Sequence, residues 1–254
     1  MIKVKTFIIK NSSNPLHHSR LDNQINDFIA KNNVEVIDIK YSTSVSANAN
    51  GGVNWIPSAM LIYNAKKQLK DFNSAELSRI IKELGSVPRI FNSEAQFQFE
   101  LAWKINEQFN CTVKLEELSR TYKNGQKNKS DYTDIILEDD TLRIGIELKY
   151  KTKKLDKPEM NVHLKQQGAH TDNRELFLED VDRLKALTQS NITALQPCGR
   201  GYAVMLTNDQ TYCGNSVNAI NQNCIHHCKI CDWDDYCEVQ GTNGKFKFII
   251  VEIP

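Results

Sequence analysis

The sequence predicts an α/β protein with a mixed sheet flanked by helices, preceded by a small β-α-β-β domain. Three observations carry this. Apolar, β-branched runs at 133–137, 142–150, 201–206 and 245–253 have the length of buried strands. Stretches with apolar residues at helical spacing alternate with them, at 93–109 and 173–190. The first 66 residues instead show long period-two alternation around one short helical segment.

In chain order, MIKVKTFIIK alternates as a strand. A helix from about Ser19 to Lys31 buries Leu21, Ile25, Phe28 and Ile29. Asn32-Asn33 turns the chain into the strand VEVIDIKYSTSVSA, and Asn-Ala-Asn-Gly-Gly makes a hairpin into NWIPSAMLIYNA. The strand IDIKYSTSVS followed by SAMLIY resembles a family of small bacterial sporulation proteins, which implies no particular chemistry. A unit of this size buries little apolar surface, so residues 1–66 are expected to pair copies into a dimer or to sense a partner. His17 and His18 are read as surface residues, because adjacent loop residues seldom ligate one ion. Residues 67–89 are expected to be a helical linker, with NSAELSRIIKELG capped by Asn73 or Ser74, stopped at Gly85 and broken at Pro88.

Residues 90–254 form the second domain. Ser93 is a good N-cap for SEAQFQFELAWKINEQF, whose Phe97, Leu101, Ile105 and Phe109 form a buried stripe. Glu94 lies almost in line with that stripe, two turns before Leu101, whereas Glu100 projects away. A strand follows Cys111, then a turn at Lys123-Asn124-Gly125. Arg120, Lys123, Lys127 and Lys129 concentrate positive charge before the strand that holds Asp134.

In DYTDIILEDDTLRIGIELKYK two strands flank the turn Glu138-Asp139-Asp140. Charge enters them at Asp134, Glu147 and Lys149. Glu147 and Lys149 share a face because strand side chains alternate. Buried charges are costly unless something pairs with them. A divalent cation on Asp134 and Glu147, with Lys149 beside its water, would satisfy that need. Hard oxygen ligands with few protein donors suit Mg²⁺, with Mn²⁺ able to substitute. Lys151, Lys153 and Lys154 follow, then a polar loop around Gln166, Gln167 and Gly168, the helix, and the strands at 201–206 and 245–253. Basic groups before and after the acids suit a phosphate backbone entering the site.

Asp134, then Glu147-Leu148-Lys149, in the order helix, three strands, helix, strand, resembles the PD-(D/E)XK nuclease superfamily. Thr133 stands where that pattern usually has Pro. The stretches QGAHTDNRELFLEDVDRL and GYAVMLTND also resemble a bacterial branch of it. The resemblance implies a restriction-endonuclease-like fold and a Mg²⁺-dependent endonuclease acting on nucleic acid, most often DNA, in defence against foreign DNA. Asp134 and Glu147 would bind the metal, with the Leu148 carbonyl as a further ligand and Glu94 completing the shell. Lys149 would orient the attacking water, and Gln167, Asp172 and Arg174 would line the site. Nucleic acid would be held by Lys123, Lys127, Lys129, Lys151, Lys153 and Arg174.

Composition narrows the alternatives. Net charge is +1, so any nucleic-acid footprint is local. No run has the length of a membrane span and no signal-peptide core opens the chain, so a cytoplasmic, non-membrane protein is expected. Of seven cysteines, Cys224, Cys228, Cys231 and Cys237 cluster in NCIHHCKICDWDDYC; buried or reduced thiols are the favoured reading, since only one Cys-x-x-Cys pair is present, and structural Zn²⁺ with His226 or His227 as a further ligand is the alternative. The rival readings are a catalytically silent nucleic-acid-binding protein on a nuclease fold and a zinc-stabilised regulatory or assembly module.

Overall fold

A computed structural model describes residues 2–9, 17–32, 34–47, 53–87, 89–124, 127–189, 198–214, 220 and 228–254; at 17, 18, 46, 47, 53–55, 120–124 and 127–129 it describes the backbone alone. The chain divides into two units, Met1–Lys67 and Gln68–Pro254.

The first unit is a β-α-β-β fold. Strands β1 (Ile2–Ile8), β2 (Glu35–Ala47) and β3 (Val53–Asn64) form an antiparallel sheet in the order β1-β3-β2. Helix α1 (His17–Asn32) covers one face. Its Leu21 and Ile25 bury against Phe7, Ala59, Leu61 and Tyr63. Alternation sends Ile2, Val4 and Ile8 of β1 to the opposite face, where they are exposed. The hairpin expected at 48–52 lies outside the described residues.

The second unit is three-layered. Its sheet of seven strands runs β12-β14-β11-β8-β7-β6, with β13 also on β14. Strands β6 (Thr112–Asn124), β7 (Lys127–Glu138) and β8 (Arg143–Lys151) are an antiparallel meander. Helix α4 (His170–Thr188) crosses over to β11 (Arg200–Thr207), which pairs parallel to β8. Strand β14 (Lys245–Ile253) runs antiparallel to β11 and to the short β12 (Lys229–Ile230) and β13 (Asp234–Glu238). Smaller elements are the two-residue strands β4 (Lys67–Gln68) and β5 (Phe109–Asn110) and a hairpin of β9 (Leu155–Lys157) with β10 (Val162–Leu164). That hairpin precedes the loop at 165–169, where the polar loop around Gln166, Gln167 and Gly168 is expected; Asn161, in the left-handed region at φ 54°, closes its turn.

Helices α2 (Ser74–Gly85) and α3 (Glu94–Gln108) cover one face of the sheet and α4 the other. The caps are those the sequence predicts: Asn73 accepts from Ala75 and Glu76, and Ser93 from Gln96. The linker expectation is corrected, however. Leu69, Phe72, Leu77, Ile80 and Ile81 are wholly buried in the core of the second unit. A helix with that apolar stripe must bury it, each side chain contributing about 1.5–3 kcal/mol, and so becomes part of the domain. On the far face α4 packs closely because Gly145 and Gly201 lack side chains; a Cβ on either would stand 3.1 Å from Leu184.

Candidate active site

The site forms where β7 and β8 part. Their pairing runs from Glu138↔Arg143 to Ile135↔Ile146 and stops. One more step of the register would set Asp134 opposite Glu147. Two side chains instead take over the hydrogen bonds of the missing ladder. The Leu148 N–H donates to Asp134 Oδ2 at 2.6 Å, and the Tyr150 N–H donates to Glu94 Oε2 at 2.6 Å. The freed carbonyl of Asp134 accepts from Gln98 Nε2 at 2.6 Å, and the same amide donates to Glu116 Oε1 at 2.9 Å. The opened sheet edge therefore keeps its polar groups satisfied. On the other side of β7, Glu116 has φ 51° and no partner in the β6–β7 ladder, a conformation that costs a non-glycine residue roughly 1 kcal/mol or more, while the register shift lies further out between Leu118 and Arg120.

Glu147 and Lys149 point to the α4 face, while Leu148 and Tyr150 pack into the core beneath α2 and α3. Helix α4 meets the two charges with two of its own. Asp180 Oδ2 lies 2.7 Å from Lys149 Nζ, and Arg183 Nη2 donates to Glu147 Oε2 at 3.1 Å and also pairs with Asp180 Oδ1. Glu147 and Asp180 are each 2% exposed. Glu147 Oε1 is buried without a hydrogen-bond partner.

Burial governs the electrostatics here. It drives Glu147 up to about 9, helped by the facing Asp134 and resisted by Arg183. It drives Asp134 up to about 6 against the pull of the Leu148 N–H and Lys149. Asp180 is likewise raised by burial, against the opposing pull of Lys149 and Arg183. For Lys149 burial acts downward, but Asp180, Glu94 and Asp134 outweigh it and its ammonium is held more firmly than usual. At neutral pH the cluster holds a proton on Glu147 and charge on Lys149.

The structure thus brings together Asp134, Glu147, Lys149 and Glu94, with Leu148 on the opened edge of β8. Glu100 turns away to Arg89 at 2.7 Å. Gln167 is exposed and is fixed through its backbone N–H to Thr152 O; Asp172 is exposed in the first turn of α4. Arg174 is partly buried on α4, six residues before Asp180. Lys151 is partly buried at the end of β8. Lys153, expected to meet phosphate, is directed elsewhere: its Nζ lies 3.0 Å from the buried Asp209. The side chains of Lys123, Lys127 and Lys129 lie outside the described ones, as do those of His17 and His18, whose backbone opens α1.

Cys228, Cys231 and Cys237 are free thiols. Cys231 and Cys237 pack against the core under α2 and α3, whereas Cys228 packs against the core under α4. The two cores lie on opposite faces of the sheet, and burial pushes Cys237 up to about 12. Cys224, His226 and His227 lie outside the described residues. Among the described residues no three His, Cys, Asp or Glu side chains form a metal-holding group, and no helix is long and apolar enough to cross a membrane.

Sequence reasoning missed Asp180, Arg183 and Gln98. A signal for the first was present: Asp180 falls in the stripe Phe177, Val181, Leu184, and an acid on a buried helix face requires a counter-charge. A second cluster at the ends of β8 and β11 was also missed. There buried Asp209 accepts from Thr211 N and Oγ1, meets His170 Nε2 at 2.6 Å and pairs with Lys153.

Residues 1–65 match the family Sporulation protein Cse60, a segment that spans β1, α1, β2 and β3. Searches of curated proteins and of solved structures match nothing.

Proposed function

We propose that the second unit is a metal-dependent nuclease that hydrolyses phosphodiester bonds, with DNA as its most fitting substrate. The observation that carries the reading is the opening between β7 and β8, where Asp134, Glu147 and Lys149 share a face and Glu94 reaches the same edge. The order helix, three-strand meander, helix, parallel strand supports it, being the order that the restriction-endonuclease-like resemblance implies.

The residues fit a divalent cation. Glu147 Oε1 is a buried carboxylate oxygen without a partner, and Mg²⁺ is commonly held by one or two carboxylates plus water, without a dedicated protein cage. Asp134 and Glu147 would hold it, with the Leu148 carbonyl as an additional donor and Glu94 joining through water. A bound Mg²⁺ or Mn²⁺ supplies Lewis-acid polarisation of the phosphate and a water of lowered pKa. Asp134 and Glu94 keep the opening from closing through their bonds to the strand. Lys149, held by Asp180, offers an ammonium to the attacking water or to the charge that develops on phosphate. Arg183, hydrogen-bonded to Glu147 Oε2, would stabilise the carboxylate that forms when Glu147 gives its proton to solvent on binding metal. The small unit, whose Ile2, Val4 and Ile8 are exposed along an edge strand, is assigned in this reading to pairing copies of the chain.

The test is cleavage of plasmid, linear duplex, single-stranded DNA and RNA with Mg²⁺ or Mn²⁺, with Glu147→Ala and Lys149→Ala beside wild type. Metal-dependent cutting lost in both folded variants supports the reading. Cutting that survives both, or no cutting by wild type on any substrate, refutes it. Light scattering of the full chain tests the pairing.

A further inference from the structure

Beyond the level of Asp134, β7 leaves the body of the sheet. It pairs with β8 only over Ile135–Glu138, yet it pairs with β6 along its whole length. From Glu117↔Thr133 to Asn124↔Lys127 seven cross-strand pairs continue, and over this span β7 has β6 as its sole partner among the described residues. At about 3.4 Å per residue these pairs make a two-stranded arm roughly 24 Å long. The root of the arm is the candidate active site itself. Its outer part has a one-sided charge: the ten residues from Arg120 to Lys129 contain Arg120, Lys123, Lys127 and Lys129 and no acid. The chain as a whole has a net charge of only +1, so this excess is local.

We propose that the β6–β7 arm is a duplex-DNA grip that enters the major groove and places the adjoining backbone at Asp134. The inference takes its partner class from the proposed function and does not require cleavage. A two-stranded ribbon has the width that the major groove of B-form DNA admits, whereas the deep, narrow major groove of A-form RNA excludes it. The four cations supply the phosphate contacts that position such a ribbon. Because the arm continues β7, it leads a duplex toward the opening between β7 and β8, its course bent by one β-bulge between Leu118 and Arg120 of β6.

The test measures binding rather than cutting, by fluorescence anisotropy in EDTA, over a range of salt concentrations. Probes are duplex DNA, duplex RNA and single-stranded DNA of one sequence. The variant is Arg120→Gln, Lys123→Gln, Lys127→Gln and Lys129→Gln together. A second variant carries Lys3→Gln, Lys5→Gln, Lys31→Gln and Lys40→Gln, four exposed lysines of the first unit that change net charge equally. Both are checked for wild-type thermal unfolding. Wild type is expected to prefer duplex DNA by at least about tenfold. The arm variant should flatten the slope of log K against log salt by about 0.9 per lost phosphate contact, up to about 3.6 for four. The control should leave the slope unchanged. Absence of duplex binding, equal binding of RNA duplex or single strands, or equal loss in both variants overturns the proposal. Binding with the expected slope but no cutting by wild type would sustain the grip and refute the nuclease reading.

Discussion

Lys149 Nζ and Asp180 Oδ2 lie 2.7 Å apart in a setting where the acid is 2% exposed. The pair joins the middle of β8 to the middle of α4, and Arg183 extends it to Glu147. Removing one partner from such a network leaves an uncompensated buried charge, whereas removing both together is far less costly. Asp180→Ala is expected to lose about 3–5 kcal/mol in urea unfolding. Lys149→Met combined with Asp180→Leu should recover most of that loss. A loss in the double variant equal to the sum of the losses in the two single variants would show that the pair is not coupled.

Metal binding should release protons. Glu147, raised to about 9, is protonated at pH 7 in the free protein, and a metal requires the carboxylate. Titration with Mn²⁺ at pH 7 in buffers of different ionisation enthalpy should show release of about one proton per ion bound. Glu147→Gln should bind no metal and release none. Proton-neutral binding in wild type would remove Glu147 from the ligand set.

The same group sets a pH dependence of stability. Its folded pKa lies above its unfolded value, so the folded state holds the extra proton between them. Stability from Glu147 is full below the unfolded value and lost as pH rises toward 9. Without metal, wild type is expected to lose melting temperature from pH 6 to 9, and Glu147→Gln, which mimics the protonated acid, to lose markedly less.

Asp209 has the opposite sign. Burial acts upward on it, but hydrogen bonds from Thr211, His170 and Lys153 outweigh burial and hold it near about 2. The unfolded chain then binds the extra proton, so this contribution is present above about pH 4 and lost as pH falls toward 2. Asp209→Asn should be less stable than wild type at pH 7 by on the order of 2 kcal/mol, with the gap closing in acid. Denaturant titrations at pH 7 and pH 3 measure it, and a gap independent of pH would assign the loss to packing alone.

Asp134 can be dissected by its hydrogen bond. Asp134→Asn keeps an oxygen able to accept the Leu148 N–H, while Asp134→Ala removes the acceptor. The alanine variant should cost about 1–3 kcal/mol more than the asparagine one if the amide is left unpaired. Hydrogen exchange at the Leu148 amide reports the bond directly. Equal protection in both variants would show that another group replaces it.

Much of this architecture was legible in the chain. The strands at 201–206 and 245–253 are uninterrupted apolar runs, and both helix caps carry their Asn or Ser. Asp134, Glu147 and Lys149 stood out because each is a charge inside such a run. What escaped detection depends on pairing over distance. Asp180 and Arg183 are ordinary residues of a charged helix until α4 is laid across β8. Helix α2 read as a linker because a sequence does not say against what an apolar stripe packs. For the described cysteines, proximity along the chain does not say that Cys228 packs on one face of the sheet and Cys231 and Cys237 on the other. The extent of β7 was also underread, since its outer half is polar and its hydrogen-bond partner is β6.

The carboxylates of Asp134 and Glu94 act on β8 as a wedge in a zipper. Each occupies an amide that a neighbouring strand could otherwise claim, and the register of β7 and β8 is already correct for one more tooth to close. A lineage that traded Asp134 for an apolar residue would therefore not keep an empty pocket in waiting. Its sheet would be free to knit shut over the vacated place, and restoring the acid later would mean prising two strands apart. Loss of the chemistry and loss of the cleft would then be a single event.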